Sequence, residues 1–190
     1  MKPVHEVPSH FERKNRLAKI PYADSKRPEA VALTARIIEE RGSLLHIYAM
    51  LLHSLPVAEG WLAFLTAIRN RCELPGSLRE LVIIEVALLN GAPYEAEQHA
   101  PIALREGLTS AQFHALPNWQ SSALFMPPQR AALAYCDAMT RLIHVPTDVF
   151  EEVRGHFNER TMVELTATIA AYNMVSRFLE AFGIASTDPT

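Results

Sequence analysis

The stretch SLRELVIIEVALLNGAPYEAEQHAPIALREG, Ser77 to Gly107, sets acids and an imidazole among apolar residues, and its reading decides that of the whole chain. Leu78, Leu81, Val82, Val86 and Leu89 recur at helical spacing, and Ser77 followed by Glu80 has the form of a capping box. A buried helix starting near Ser77 is therefore predicted. Asn90 and Gly91 are stop signals, and Pro93 suits the first turn of a second helix. Glu95 and His99 stand four residues apart on that second helix, on one face and able to touch.

Outward from this pair, punctuation and periodicity divide the rest of the chain into further helices. Pro28 opens one, ended near Gly42; Leu44 to Ser54 is apolar almost all round; Pro56 opens a third, with Val57, Trp61, Phe64, Leu65 and Ile68 at helical spacing. Beyond Gly107, Thr109 with Gln112 makes a second capping box, and Pro117 to Pro128 reads as a long connection with apolar anchors. Helices follow from about Pro128 to Leu142, from a start capped by Thr147, and from Thr161 to Gly183, where Thr161 and Glu164 repeat the capping-box form. SLREL and TMVEL thus begin two long apolar helices alike, which fits an old duplication of a helical unit. No strand is needed. The expected fold is all-α, a compact domain of about seven to nine helices over residues 28–190. Residues 1–27, with three prolines and only short apolar patches, are expected to form an arm packed on the surface or on a neighbouring subunit.

A chain of 190 residues, 49% of them apolar, is long enough for one sizeable core. The net charge of −3 and the lack of any dense Lys/Arg block leave no footprint for nucleic acid or an anionic membrane. No apolar run approaches membrane-spanning length, and the start lacks the apolar core of a signal peptide, so a soluble, cytoplasmic protein is expected. Cys72 and Cys136 form neither a CxxC nor a zinc-type spacing, and two ordinary thiols are expected rather than a disulfide.

The pattern is Glu80, eleven intervening residues, Ala92, two intervening residues, Glu95, three intervening residues, His99. This resembles the signature helix pair of the carboxymuconolactone decarboxylase family, within the alkyl hydroperoxidase D-like superfamily. LLHSLPVAEGW (Leu51 to Trp61) and ELTATIAAYNMVSRFLEAFGI (Glu164 to Ile184) are similar to it as well, so the resemblance covers roughly residues 30 to 185. In the redox branch of the superfamily, two cysteines stand where this chain has Ala92 and Glu95. The chain looks more like the branch without them. The resemblance implies a compact helical domain, a homo-oligomer (trimer or hexamer) with sites near subunit boundaries, no cofactor, and lyase chemistry of the kind used in aromatic compound catabolism.

On that resemblance, His99, Glu80 and Glu95 are the expected catalytic residues, and His53, Trp61 and Arg177 the expected substrate-binding ones. Each has a structural alternative. Glu80 could simply cap its helix; Glu95 and His99 could be a surface pair; His53 could be a packing or capping residue before Pro56; and Arg177 could make a structural ion pair rather than hold a substrate carboxylate. Pro101, without an amide to offer the Glu97 carbonyl, tends to kink the second helix beside the ionisable pair and favours a pocket there. Met50, Met126 and Met174 read as gap-filling core residues. Glu80, Glu95 and His99 are also metal-ligand types, but a single histidine and a family that works without metal argue for none.

Loss of carbon dioxide from a butenolide carboxylate leaves an electron pair that delocalises onto the lactone carbonyl, so a site must stabilise an oxyanion and deliver a proton to carbon. An imidazole suits proton delivery near neutral pH, and Glu80 or Glu95 would fix its tautomer. Leu81, Trp61 and the Trp119 to Met126 segment would form an apolar wall. The same groups suit isomerisation or other lactone chemistry. Two further readings stay open: a peroxidase or disulfide-reductase using Cys72 or Cys136, and a non-catalytic oligomer that binds a small ligand. The first lacks the attacking and resolving thiol pair that dithiol chemistry requires.

Overall fold

Residues 18–189 are described by a computed structural model, and among them all regular structure is helical: nine α-helices and one 3₁₀ segment, with no strand. Most of the expected arm, residues 1–17, lies outside the described residues. None of the described helices is long and apolar enough to cross a membrane. The helices fall into two compact units.

The first unit holds α1 (Pro28–Arg41), α2 (His46–Leu51), α3 (Leu55–Asn70) and the chain from Leu179 onward. Pro28 and Pro56 stand in the first turns of α1 and α3, as their missing amides allow. Ile37, Leu52, Leu62, Leu65 and Ile68 fill its core, whereas Val31 and Ile38 on α1 and Val57 and Phe64 on α3 are exposed. Its polar ties run along the same unit: Arg41 donates to the Thr66 hydroxyl at 2.7 Å, and the Lys19 amide to the Phe182 carbonyl at 2.8 Å.

The second unit spans Glu73–Phe178 and carries α4 (Gly76–Asn90), α5 (Pro93–Arg105), α6 (Ser110–Ala115), α7 (Pro127–Leu142), α8 (Thr147–Arg154) and most of α9 (Glu159–Phe182). Every residue of α4 from Leu78 to Ala87 is buried, so this helix is enclosed rather than amphipathic. It packs against α5 on one side and α7 on another. The α4–α5 join follows the stop signals. Gly91 adopts φ 63°, the left-handed region, its amide bonds to Leu88 O at 3.2 Å and the Ala92 amide to Ala87 O at 2.9 Å. These two bonds satisfy carbonyls that the helix end would leave open, and Pro93 then starts α5 at once.

Of the four predicted side-chain caps, one forms. Thr109 and Gln112 make the reciprocal capping box of α6. Ser77 makes no side-chain cap on α4, and Glu80 is turned inward instead. Thr147 is the first residue of α8, not its cap. At α9 the cap is Asn158, whose Oδ1 accepts from the Thr161 amide at 2.9 Å, while Glu164 accepts from the Glu73 and Leu74 amides at 2.8 and 2.9 Å. The expected loop after Pro117 contains a 3₁₀ segment, Leu116–Ser121, anchored by buried Trp119. Met50 is buried as expected, but Met126 and Met174 are exposed and fill no core gap.

Because a Cβ at Gly91 meets nothing within 4 Å, Gly91→Ala tests backbone strain alone. The left-handed conformation should cost about 1–2 kcal/mol of unfolding free energy, read as a lower urea midpoint with an unchanged slope. An unchanged midpoint would contradict this account of the join.

Candidate active site

Three ionisable residues from α4 and α5 are withdrawn from solvent in the second unit: Glu80 is 0% exposed, Glu95 2% and His99 7%. The bare carboxylate of a buried glutamate is costly unless charge and hydrogen bonds offset the loss of water. Glu80 has both. Its Oε2 accepts from His99 Nδ1 at 2.6 Å, and its Oε1 accepts from Arg79 Nε at 3.0 Å. Burial alone would push its carboxyl up, but the bonds and charges of His99 and Arg79 together outweigh burial and hold it below the usual carboxylate range.

His99 Nδ1 is thereby committed to Glu80, and no hydrogen bond engages Nε2 among the described residues. The Tyr172 ring from α9 stands edge-on to the imidazole, with centroids 4.9 Å apart, and fixes the ring from the other side. Glu95 does not supply the Nδ1 contact that its spacing on α5 suggested. Its Oε2 accepts from the Ser176 hydroxyl of α9 at 2.7 Å. Tyr172 and Ser176 are one helical turn apart and both fully buried, so α9 presents them on one face toward α5.

The expected substrate-binding residues are divided between the two units. Arg177 lies on α9 in the same unit, exposed, and donates to the Asn173 carbonyl at 3.1 Å and to Asn173 Oδ1 at 2.9 Å. His53 and Trp61 belong to the other unit: His53 Nε2 bonds to the Pro21 carbonyl at 2.8 Å, and Trp61 is buried on α3. Of the expected apolar wall, Leu81, Trp119 and Phe125 are buried, but Leu124 and Met126 are exposed. A groove of about 400 Å³ beside α8 is lined by Phe150, Arg154, Phe157, Met162 and Val163 among others, and by none of the expected site residues.

A second buried acid on α4 faces the other way. Glu85 interacts with the carboxyl of Asp137 on α7; burial and then the Asp137 charge push Glu85 up to about 9. Asp137 is raised too, chiefly by burial, although its bond with Glu85, Arg141, Trp119 and Gln120 all pull it down. Two interacting acids that are both raised favour one proton held between them. Beside it, burial pushes the Cys136 thiol well up, and its Sγ points to the Val82 carbonyl at 3.7 Å. Among the described residues no group of three or more His, Cys, Asp or Glu side chains is placed to hold a metal ion.

Arg79, Ser176 and the Glu85–Asp137 pair were not singled out in the sequence. The signal for Arg79 was its place beside Glu80; the others needed the packing of α7 and α9 to be seen.

The all-helical fold is similar to that of alkyl hydroperoxidase D-like proteins. Residues 56–138, which carry Glu80, Glu95 and His99, match the sequence model of the Carboxymuconolactone decarboxylase family, and the resemblance to that family is borne out there. The uncharacterised protein YdfG of Bacillus subtilis (strain 168) is 29% identical over 107 residues, 55% of this chain and 73% of its own. Two solved structures share the fold. An alkylhydroperoxidase AhpD core, an uncharacterised peroxidase-related protein from Ralstonia eutropha JMP134, is 19% identical and covers 89% of this chain and 92% of its own, with a TM-score of 0.74. The debrominase Bmp8 is 20% identical and covers 87% and 89%, also with a TM-score of 0.74.

The two acids of α4 predict opposite pH behaviour. Glu80 has a depressed folded value, so its contribution to stability is complete above the ordinary carboxylate range and is lost as pH falls through that depressed value. Glu80→Gln should cost about 3–5 kcal/mol at pH 7, with the gap to wild type narrowing in acid. Glu85 has a raised folded value, so the unfolded chain ionises first and stability declines from the ordinary glutamate range up to about pH 9. Glu85→Gln should remove that decline and gain on wild type as pH rises. Urea unfolding across pH measures both, and parallel curves for either variant would refute its assignment.

Proposed function

We propose that the protein is an enzyme of proton transfer acting on a small unsaturated carboxylate or lactone, by decarboxylation, isomerisation or related lactone chemistry. The observation that carries this reading is the committed Nδ1 of His99: with Glu80 holding that side of the ring, Nε2 is left to exchange a proton with a substrate. In a decarboxylation, the bond between ring carbon and carboxylate breaks, and its electron pair passes to the lactone carbonyl as a dienolate. The His99 imidazolium then gives its Nε2 proton to carbon and is left as the Nδ1–H tautomer held by Glu80. Glu95, four residues before His99 on α5 and bonded to Ser176, is the proposed second acid, and Arg177 is the proposed partner of the substrate carboxylate. The family match supports an enzyme of this kind, while the debrominase and peroxidase-related neighbours are a reminder that one fold hosts several reactions.

Thiol chemistry has less support. A dithiol relay needs an accessible, activated thiolate and a resolving partner. Cys136 is fully buried with its thiol pushed up, and Ala92 and Glu95 hold the places of the redox pair.

The test is a panel of unsaturated lactones and related carboxylates incubated in D₂O with wild type and with His99→Ala. Wild type should incorporate deuterium at carbon or release carbon dioxide from one class, and His99→Ala should lower that rate by about 10²–10⁴-fold. Turnover that survives His99→Ala but not Cys72→Ser or Cys136→Ser would overturn the reading in favour of a thiol.

We also infer a homo-oligomer, a trimer or hexamer. The exposed pairs Val31 with Ile38 and Val57 with Phe64, each two turns apart on one helix face, support it, since such apolar surface favours burial between subunits. Light scattering should give a mass several times that of the chain, and a monomer would remove this part of the proposal.

A further inference from the structure

The geometry points to Arg79 as a positioning residue, clamped between Glu80 and Glu106, that keeps the Glu80 carboxylate aimed at His99. This rests on the reading of His99 and Glu80 as the acid/base pair. Adjacent residues on a helix point in different directions, so a contact between Arg79 and Glu80 requires the arginine to fold back along α4. It does so while its far end is held. Arg79 Nε donates to Glu80 Oε1 at 3.0 Å, and Arg79 Nη2 donates to Glu106 Oε1 at 3.2 Å. Glu106 caps the end of α5, the helix that carries His99, seven residues and two turns earlier. The guanidinium therefore ties both ends of the site helices together: His99 to Glu80, Glu80 to Arg79, Arg79 to Glu106.

Gly76 explains how Glu106 reaches its place. It is the first residue of α4, and a Cβ there would come within 1.7 Å of Glu106 Oε2. The missing side chain leaves room for an acid against the first turn of the helix, where the dipole favours negative charge. Glu106 thus fits against the start of α4, where its partner is Arg79.

The consequence is a division of labour on the two oxygens of Glu80. One faces His99 and the other is occupied by Arg79, so the carboxylate cannot rotate away from the imidazole or take a proton on its second oxygen without breaking a buried ion pair. Among the described residues, the charged and titratable groups acting on Glu80 are Arg79 on α4 and His99 on α5, with Glu106 beyond Arg79 and Tyr172 against the imidazole; on α7, Asp137 acts on Glu85 instead.

The experiment reads Glu80 directly, without substrate. In protein labelled with carboxyl-¹³C glutamate, with the Glu80 signal assigned by its loss in Glu80→Gln, the carboxyl of wild type should titrate below the usual range. Arg79→Met should move that titration upward, and Arg79→Lys, which keeps the charge, should leave it near wild type. Should Arg79→Met not fold, Arg79→Gln keeps an amide donor for Glu80 without the charge and should show the same upward shift. A folded Arg79→Met or Arg79→Gln whose Glu80 titrates where the wild type does would overturn the inference. Full turnover in His99→Ala would remove the catalytic reading of the site but not this result, so the two failures are distinguishable.

Discussion

A carboxylate with no exposure to water, held between an imidazole and a guanidinium, is the constraint on which the second unit depends. Glu80 sits in the most enclosed helix of that unit, where the loss of hydration disfavours charge. Only the two donors on its two oxygens make ionisation the favoured state, and both must be brought there by the chain. Arg79 comes with α4 itself. His99 comes from α5, and it reaches Glu80 because the chain reverses within Asn90, Gly91 and Ala92 and starts a new helix at Pro93. The turn is therefore part of the site. A glycine that tolerates positive φ and a proline that needs no amide partner place an acid and an imidazole, nineteen residues apart, in direct contact.

The same helix carries a second acid in the opposite state. Five residues after Glu80, Glu85 meets another acid, Asp137, whose charge together with burial outweighs that of Arg141, and the two carboxyl groups are best satisfied by sharing a proton. Burial acts on both glutamates in the same direction, so the difference between them comes from their partners. One side of α4 is arranged for charge and proton exchange with α5. The other side meets α7 through two facing acids, where a shared proton leaves one negative charge instead of two beside Arg141.

Much of this was legible in the residues, and the exceptions share a cause. Helix-starting prolines, the Gly91 stop and the apolar run of α4 are local signals, answered by the chain within a few residues, and each predicted the observed element. Capping boxes were less dependable. Thr109 with Gln112 forms one at the surface, whereas Glu80 and Glu164, in the same pattern, are taken by distant partners: His99 for the first, the Glu73 and Leu74 amides for the second. A glutamate three residues after a serine or threonine caps a helix only if tertiary packing does not claim it. Glu95 illustrates the limit from the other side. Its spacing to His99 was visible, but its bond to Ser176 joins residues 81 apart in sequence, and no periodicity names such a partner.

What the account claims at its centre is the location of one proton, on Nδ1 of His99 facing an ionised Glu80. Nitrogen-15 NMR of selectively labelled histidine, at a pH where the ring is neutral, observes it directly. The account predicts a protonated Nδ1 with Nε2 as the bare nitrogen, and collapse of that pattern in Glu80→Gln. A proton found on Nε2, or a Glu80 carboxylic acid donating to a bare Nδ1, would contradict it.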